Sequence, residues 1–190
     1  MKFKKNKLYI ENIRADNIVT KFGSPTYCYS LKKLKENIKK FKNNFKKIKP
    51  LICFSVKSNS NDAILKEIKL AGLGADVVSM GELLKALKNG ISARKIVFSG
   101  VGKSYEELRY AVEKKILLIN CESESEILDI IKIAKTKRKV IDIGIRLNPD
   151  IDAKTINKIS TGKRENKFGL TEEIFLKFIN KFKNNKNLNI

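Results

Sequence analysis

From residue 26 onward, short apolar runs alternate with longer stretches of helical periodicity, at a repeat of about twenty residues. Residues 26–29, 51–56, 75–78, 95–98, 116–119 and 140–147 read as strands. Between them, residues 31–48, 61–71, 81–88, 105–114 and 122–135 read as helices, the first ended by Pro50 and the third closed by Asn89-Gly90. The strand runs lack clean alternation, the pattern of parallel strands covered on both faces. Repeated βα units of this kind leave two folds open, a doubly wound sheet and a barrel.

The rhythm breaks after Asn148. Residues 149–169 are rich in Pro, Asp, Ser, Thr and Gly and read as a long functional loop at a strand's carboxyl end. A last helix is expected from Thr171, with Glu172 and Glu173 in its first turn, to about Lys183. Residues 187–190 look like the start of a further strand, so the chain reads as the front part of a longer protein. Its 190 residues can bury a sizeable core but fall short of the roughly 250 of a complete (β/α)₈ barrel.

Charge and cysteine usage narrow the function classes. The formal net charge is +21, but the basic residues are dispersed along helical segments and aromatics make up only 8%. No RNA-binding or helix-turn-helix pattern accompanies them, so a specific nucleic-acid role is not indicated. Cys28, Cys53 and Cys121 are widely separated and odd in number, which fits neither a disulfide framework nor a zinc site and implies free thiols in a reducing cytosol. The absence of histidine excludes His-based metal sites and Ser-His or Cys-His nucleophile pairs within this chain. No secretory signal precedes the first element, and no apolar run approaches the ~20 residues of a membrane span. The expectation is a cytoplasmic protein with no metal and no membrane contact.

Lys57 is the leading candidate for a reacting group. It stands at the carboxyl end of the apolar run 51–56 and just before a helical segment, where an α/β barrel presents its chemistry and where apolar surroundings would strip water from the amine. Most of the 41 basic residues are expected to be solvated surface charge; the strand end sets Lys57 apart. Asp76, Glu82 and Arg146 fall at or near other strand ends. A buried charge costs several kcal/mol unless paired, so these three should pair with each other or with a charged ligand, either as a site or as a brace across a barrel mouth. The run Ser99-Gly100-Val101-Gly102-Lys103-Ser104 lies between a strand and a helix as a phosphate loop would, but Val97 stands where a Walker A loop needs glycine. Gly100 and Gly102 are expected instead to shape a strand-to-helix turn.

Several ordered blocks carry a family resemblance: residues 22–29 (FGSPTYCY), 54–61 (FSVKSNSN), 74–83 (GADVVSMGEL), 95–103 (KIVFSGVGK), 120–126 (NCESESE), and 146–169, which contains RLNPDIDAKT, ISTG and ENKFG. The chain resembles the amino-terminal half of the diaminopimelate decarboxylases, within the ornithine/diaminopimelate/arginine decarboxylase family of fold-type III pyridoxal-phosphate enzymes. The resemblance implies an α/β fold with an incomplete (β/α)₈ barrel of the alanine-racemase-like kind, about five of its eight strands present. It implies that residues 1–25 pack with a carboxy-terminal β-domain and that 26–190 form the partial barrel. The activity implied is decarboxylation of meso-diaminopimelate to L-lysine and carbon dioxide in lysine biosynthesis, by a homodimer. On the same resemblance Lys57 holds pyridoxal phosphate covalently, and Asp76, Glu82 and Arg146 form the hydrogen-bond and ion-pair shell around it.

Two departures stand out: Ser58 where alanine is usual after the lysine, and Ile156-Asn157 in place of His-Pro. The family's ring-stacking histidine, glycine-rich phosphate loops, acidic partner of the pyridine nitrogen and substrate-specificity residues would all lie beyond Ile190. The rival readings are a related decarboxylase acting on ornithine, arginine or carboxynorspermidine, and a noncatalytic basic barrel protein binding pyridoxal phosphate or nucleic acid.

Overall fold

The computed structural model describes residues 1–149, 151 and 168–190, so most of the expected loop at 149–169, Asn157 included, lies outside the described residues. Contacts divide the chain into two compact units, residues 1–50 and 51–190.

In the first unit β1 (Lys2–Lys4), β2 (Lys7–Ile10) and β3 (Ile13–Arg14) form an antiparallel meander. Lys5 and Asn6 turn between the first two strands with φ of 46° and 58°, the conformation that a two-residue hairpin needs to match strand twist. Two amphipathic helices follow, α1 (Ala15–Phe22) and α2 (Leu31–Asn44), neither with a buried residue. Glu11 anchors the start of α2: its Oε1 accepts hydrogen bonds from the Ser30 hydroxyl at 2.7 Å and the Lys32 amide at 3.1 Å. Those bonds hold its carboxyl below the usual range. Residues 26–29, expected as a strand, have no regular structure. A strand persists through a hydrogen-bonded neighbour, and none pairs with this stretch among the described residues; Tyr27 is 92% exposed.

In the second unit strand and helix alternate as the apolar pattern predicts. The order is β4 (Cys53–Ser55), α3 (Asp62–Leu70), β5 (Gly74–Val77), α4 (Met80–Lys88), β6 (Ile96–Phe98), α5 (Tyr105–Lys114), β7 (Leu118–Cys121), α6 (Glu124–Lys137), β8 (Ile141–Ile145), α7 (Glu172–Phe182) and β9 (Leu188–Asn189). The six strands are hydrogen-bonded in sequence order, every neighbouring pair parallel. An unbroken run of right-ordered βα units is the barrel progression rather than a doubly wound sheet, which reverses strand order. The final strand, legible only as a beginning in the sequence, pairs Leu188 with Ile141.

The expectation of apolar cover on both faces fails. Ala75, Val77, Ile96, Phe98, Ile119, Cys121, Ile141 and Ile143 are buried, packed with Leu65, Ile68, Leu83, Leu108, Ile127 and Ile130 of the helices. Their neighbours along the strands, Ser55, Asp76, Val97, Leu118 and Asn120, are only half-buried. Side chains alternate across a strand, and among the described residues helices cover one face while the other stays open.

The helix starts share one device. Ser79, Ser104 and Ser123 accept a hydrogen bond from the amide three residues on, that of Glu82, Glu107 and Glu126. This is the Ser-x-x-Glu capping pattern, and here each glutamate also reaches backwards. Glu82 accepts from the Val78 amide at 2.9 Å. Glu107 accepts from its own cap, Ser104, at 3.0 Å and from Met80, the first residue of the preceding helix, at 2.9 Å. Glu126 accepts from the Lys103 amide at 3.1 Å and the Glu122 amide at 2.9 Å. The caps therefore join successive βα units.

Burial alone would raise the Glu107 carboxyl, but the amides of Ser104 and Met80, the Ser104 hydroxyl and the Lys103 charge bring it below the usual range. A carboxylate whose folded pKa is depressed stabilises fully above its unfolded value, about 4.3, and loses that contribution as pH falls through the folded value. Glu107→Gln is expected to cost about 1 kcal/mol near pH 7. The gap between wild type and variant should close below about pH 4, as read from urea midpoints across that range; a gap independent of pH would refute the assignment.

Candidate functional site at the carboxyl rim

In a parallel sheet all carboxyl strand ends share one rim, where βα loops gather side chains from different strands. Lys57 is the middle residue of a single 3₁₀ turn, Val56–Ser58, that directly follows β4. Fully buried Val56 pins this turn, and the Ser58 hydroxyl closes it by donating to the Ser55 carbonyl at 2.7 Å. Lys57 itself is exposed, against the expectation of a desolvated amine. The open sheet face accounts for this, because the helices cover only the other side.

Asp76 lies on β5 in register with Ser55, which donates a long hydrogen bond to Asp76 Oδ2 at 3.4 Å. The same open face carries Asn120, whose amide donates to the Ser99 hydroxyl at 2.9 Å. Opposite Asn120 in register is Gly144, where a Cβ would fall 2.3 Å from Asn120 Oδ1 and displace that amide from its present place. Asp76, Asn120 and Gly144 each stand between two apolar residues of their strand, and Ser55 stands between Phe54 and Val56. That period of two was the available signal for a polar face, and the short runs concealed it.

Arg146 directly follows β8, its amide bonded to the Cys121 carbonyl at 3.0 Å. The expected pairing among Asp76, Glu82 and Arg146 does not occur among the described residues. Glu82 is engaged at its helix cap, Asp76 meets Ser55, and Arg146 Nη1 donates to Glu122 Oε1 at 2.7 Å. Three intervals of about 4.8 Å separate β5 from β8 along the sheet. Glu122, 7% exposed, went unrecognised as a site residue because the predicted helix began there; the Ser123 cap places it just before α6.

Lys103 is held inside. Its side chain is 1% exposed and that of Glu126 5%. Nζ donates to Glu126 Oε2 at 3.1 Å and to the Gly100 carbonyl at 2.5 Å, and lies 5.7 Å from the centre of the Phe98 ring. This lysine serves no phosphate loop. A Cβ on Gly100 would fall 2.1 Å from the Val78 carbonyl, the close backbone approach anticipated for this turn. Beside the pair, burial pushes the Cys121 thiol up to about 12; the Cys53 thiol is raised by burial and by Asp76.

This geometry meets a family match. Residues 31–190 match the pyridoxal-dependent decarboxylase family in its pyridoxal binding domain. The chain belongs to this family. Its fold, an α/β arrangement of parallel strands and helices, and its cofactor, pyridoxal phosphate, accompany that membership. Over 169 residues the chain is 44% identical to the diaminopimelate decarboxylase of Haemophilus influenzae, covering 89% of this chain and 41% of the relative. The crystal structure of Helicobacter pylori diaminopimelate decarboxylase complexed with L-lysine superposes with a TM-score of 0.87 at 42% identity, covering 91% of this chain and 44% of that one. The M. jannaschii enzyme in co-complex with L-lysine gives 0.89 at 34% identity, covering 99% and 45%. The chain thus spans less than half the length of these relatives. No helix among the described residues is long and apolar enough to cross a membrane.

The buried pair yields a stability test. Lys103→Met leaves the Glu126 carboxylate buried with an uncompensated charge and is expected to cost about 3–5 kcal/mol, whereas the double variant Lys103→Met/Glu126→Leu should cost less than either single change. Breaking the exposed Lys88–Asp62 pair, 3.3 Å apart, should change stability by no more than about 1 kcal/mol. Urea denaturation of the four variants checks the order; a Lys103→Met effect as small as the surface one would refute the account.

Proposed function

We propose that this chain supplies the covalent-anchor part of a pyridoxal-phosphate-dependent decarboxylase that converts meso-diaminopimelate to L-lysine and carbon dioxide. The observation that carries the reading is Lys57, an accessible primary amine on the carboxyl rim next to the Asp76 strand, in a chain 44% identical to a diaminopimelate decarboxylase. Lys57 would hold the cofactor covalently, as the nucleophilic amine. Asp76, Glu82 and Arg146 would hold it by charge and hydrogen bonds. The donor set fits the group: an amine for its aldehyde, a guanidinium for an anion, and carboxylates to balance the charge of the amine.

Bound there, pyridoxal phosphate supplies an electron sink for the pair left when a carboxylate departs as carbon dioxide. The protein's own contribution is positional. The buried face of the sheet fixes β4 and β5, so that the Lys57 turn and Asp76 keep their spacing. The same reading makes the complete enzyme a cytoplasmic homodimer whose β-domain packs with residues 1–25.

Borohydride reduction of the holoenzyme should fix the cofactor on the peptide containing Lys57, and Lys57→Ala should lose both that adduct and lysine formation. A reducible adduct persisting in Lys57→Ala would sink the assignment, and faster turnover of ornithine or arginine than of diaminopimelate would shift it to a related decarboxylase. Residues 1–190 alone are expected neither to form lysine nor to keep the cofactor through dialysis, since among the described residues β4 and β9 each have one sheet neighbour. Lysine formation by residues 1–190 above a Lys57→Ala control would show that these residues hold more of the machinery than proposed.

A further inference from the structure

We propose that Glu122 is a positioning residue that sets the direction of the Arg146 guanidinium at the cofactor rim, an inference that rests on the decarboxylase reading. Glu122 follows β7 and Arg146 follows β8, the adjacent strand. The Glu122 side chain is 7% exposed and that of Arg146 38%, so the carboxylate is the fixed partner and the guanidinium the accessible one. Each Glu122 oxygen has its own donor: Oε1 accepts from Arg146 Nη1 at 2.7 Å, and Oε2 accepts from the Gly169 amide at 3.2 Å. One carboxylate thus holds both the arginine and the chain where it returns to the sheet.

That return is tied to the end of β8. The Leu170 amide donates to the Arg146 carbonyl and the Asn148 amide to the Leu170 carbonyl, both at 2.7 Å. Phe168 is thereby placed with its ring centre 5.4 Å from Arg146 Cζ, in cation–π range. Glu122 is in turn held from the interior, because its amide donates to Glu126 Oε2 at 2.9 Å and Glu126 is locked to Lys103. Charge-assisted bonds, joined through Glu122 itself, thus link the buried lysine to the half-exposed arginine.

The consequence is orientational. A guanidinium recognises a phosphate or carboxylate through N–H pairs in one plane, and a long side chain without restraint would sample many rotamers. Glu122 fixes its direction and Phe168 restrains its face. The ligand chemistry is therefore an anionic oxygen group, either the cofactor's phosphate or a substrate carboxylate.

In the holoenzyme, Glu122→Gln, Arg146→Gln and the double variant form a cycle, read by the pyridoxal-phosphate dissociation constant from fluorescence titration and by KM for diaminopimelate at saturating cofactor. Each single variant is expected to weaken one of these by on the order of 10-fold or more, the loss typical of a charge-assisted bond, and the double variant should be no worse than the poorer single one. A raised dissociation constant identifies the cofactor as the source of the anion; a raised KM alone identifies the substrate. Glu122→Asp keeps the charge one methylene short and should recover part of the loss, and it replaces Glu122→Gln in the cycle if that variant fails to fold. A lowered melting temperature with dissociation constant and KM unchanged, or losses that simply add, would overturn the proposal. Wild-type protein with no borohydride-trapped cofactor would overturn both this and the decarboxylase reading, whereas trapped cofactor with additive losses would overturn this alone.

Discussion

The arrangement of the rim depends on two opposite charges kept out of water. Lys103 and Glu126 are nearly without solvent contact, and removing such ions from water costs several kcal/mol each unless their polar atoms are matched. Here they are matched. The ammonium meets a carboxylate oxygen, a carbonyl and an aromatic face, while the carboxylate also takes the amides of Lys103 and Glu122. Those two amides belong to the turn after β6 and the turn after β7. Satisfying one glutamate therefore dictates the relative placement of two loops and the first turn of α6, in a way that generic apolar packing would leave loose.

The two faces of the sheet divide the work that follows. Toward the helices, Ile, Val, Phe and Leu side chains interlock and are almost entirely excluded from water, which stabilises the strands at fixed spacing. On the other side, Ser55, Asp76, Ser99, Asn120 and Gly144 set small or polar groups beside Val97 and Leu118. Lys57 stands at the edge of that face, on a turn anchored by the wholly buried Val56.

Most of the second unit could be read from the sequence because its apolar runs are bounded by strong punctuation, such as Pro50 before β4 and Asn89-Gly90 before β6. Residues 26–29 misled because strand propensity expresses itself only beside a partner strand. The open face was hidden for a different reason: strands of two to five residues contain too few alternations for a period of two to stand out from a short apolar run. The places of Lys57, Asp76 and Arg146 at or near strand ends were legible. Glu122 was not, since its role comes from pairing with a residue on the next strand, 24 positions away, and from a cap that moves the start of α6 past it.

The groups that support the rim and the groups that would react on it are distinguished by solvent. Glu122, Glu126 and Lys103 are buried or nearly so, each with several partners, whereas Lys57 is exposed and Arg146 half-exposed. A reactive amine must be free to form and break bonds, but the geometry around it has to survive those events, and buried charge-assisted bonds supply that rigidity. The excess of basic residues acts at longer range. With a net charge of +21 the chain's field favours the approach of any anionic ligand, an effect on encounter that weakens with salt. At short range the Arg146 guanidinium, held by one carboxylate and faced by one ring, has a fixed direction that the long-range field lacks.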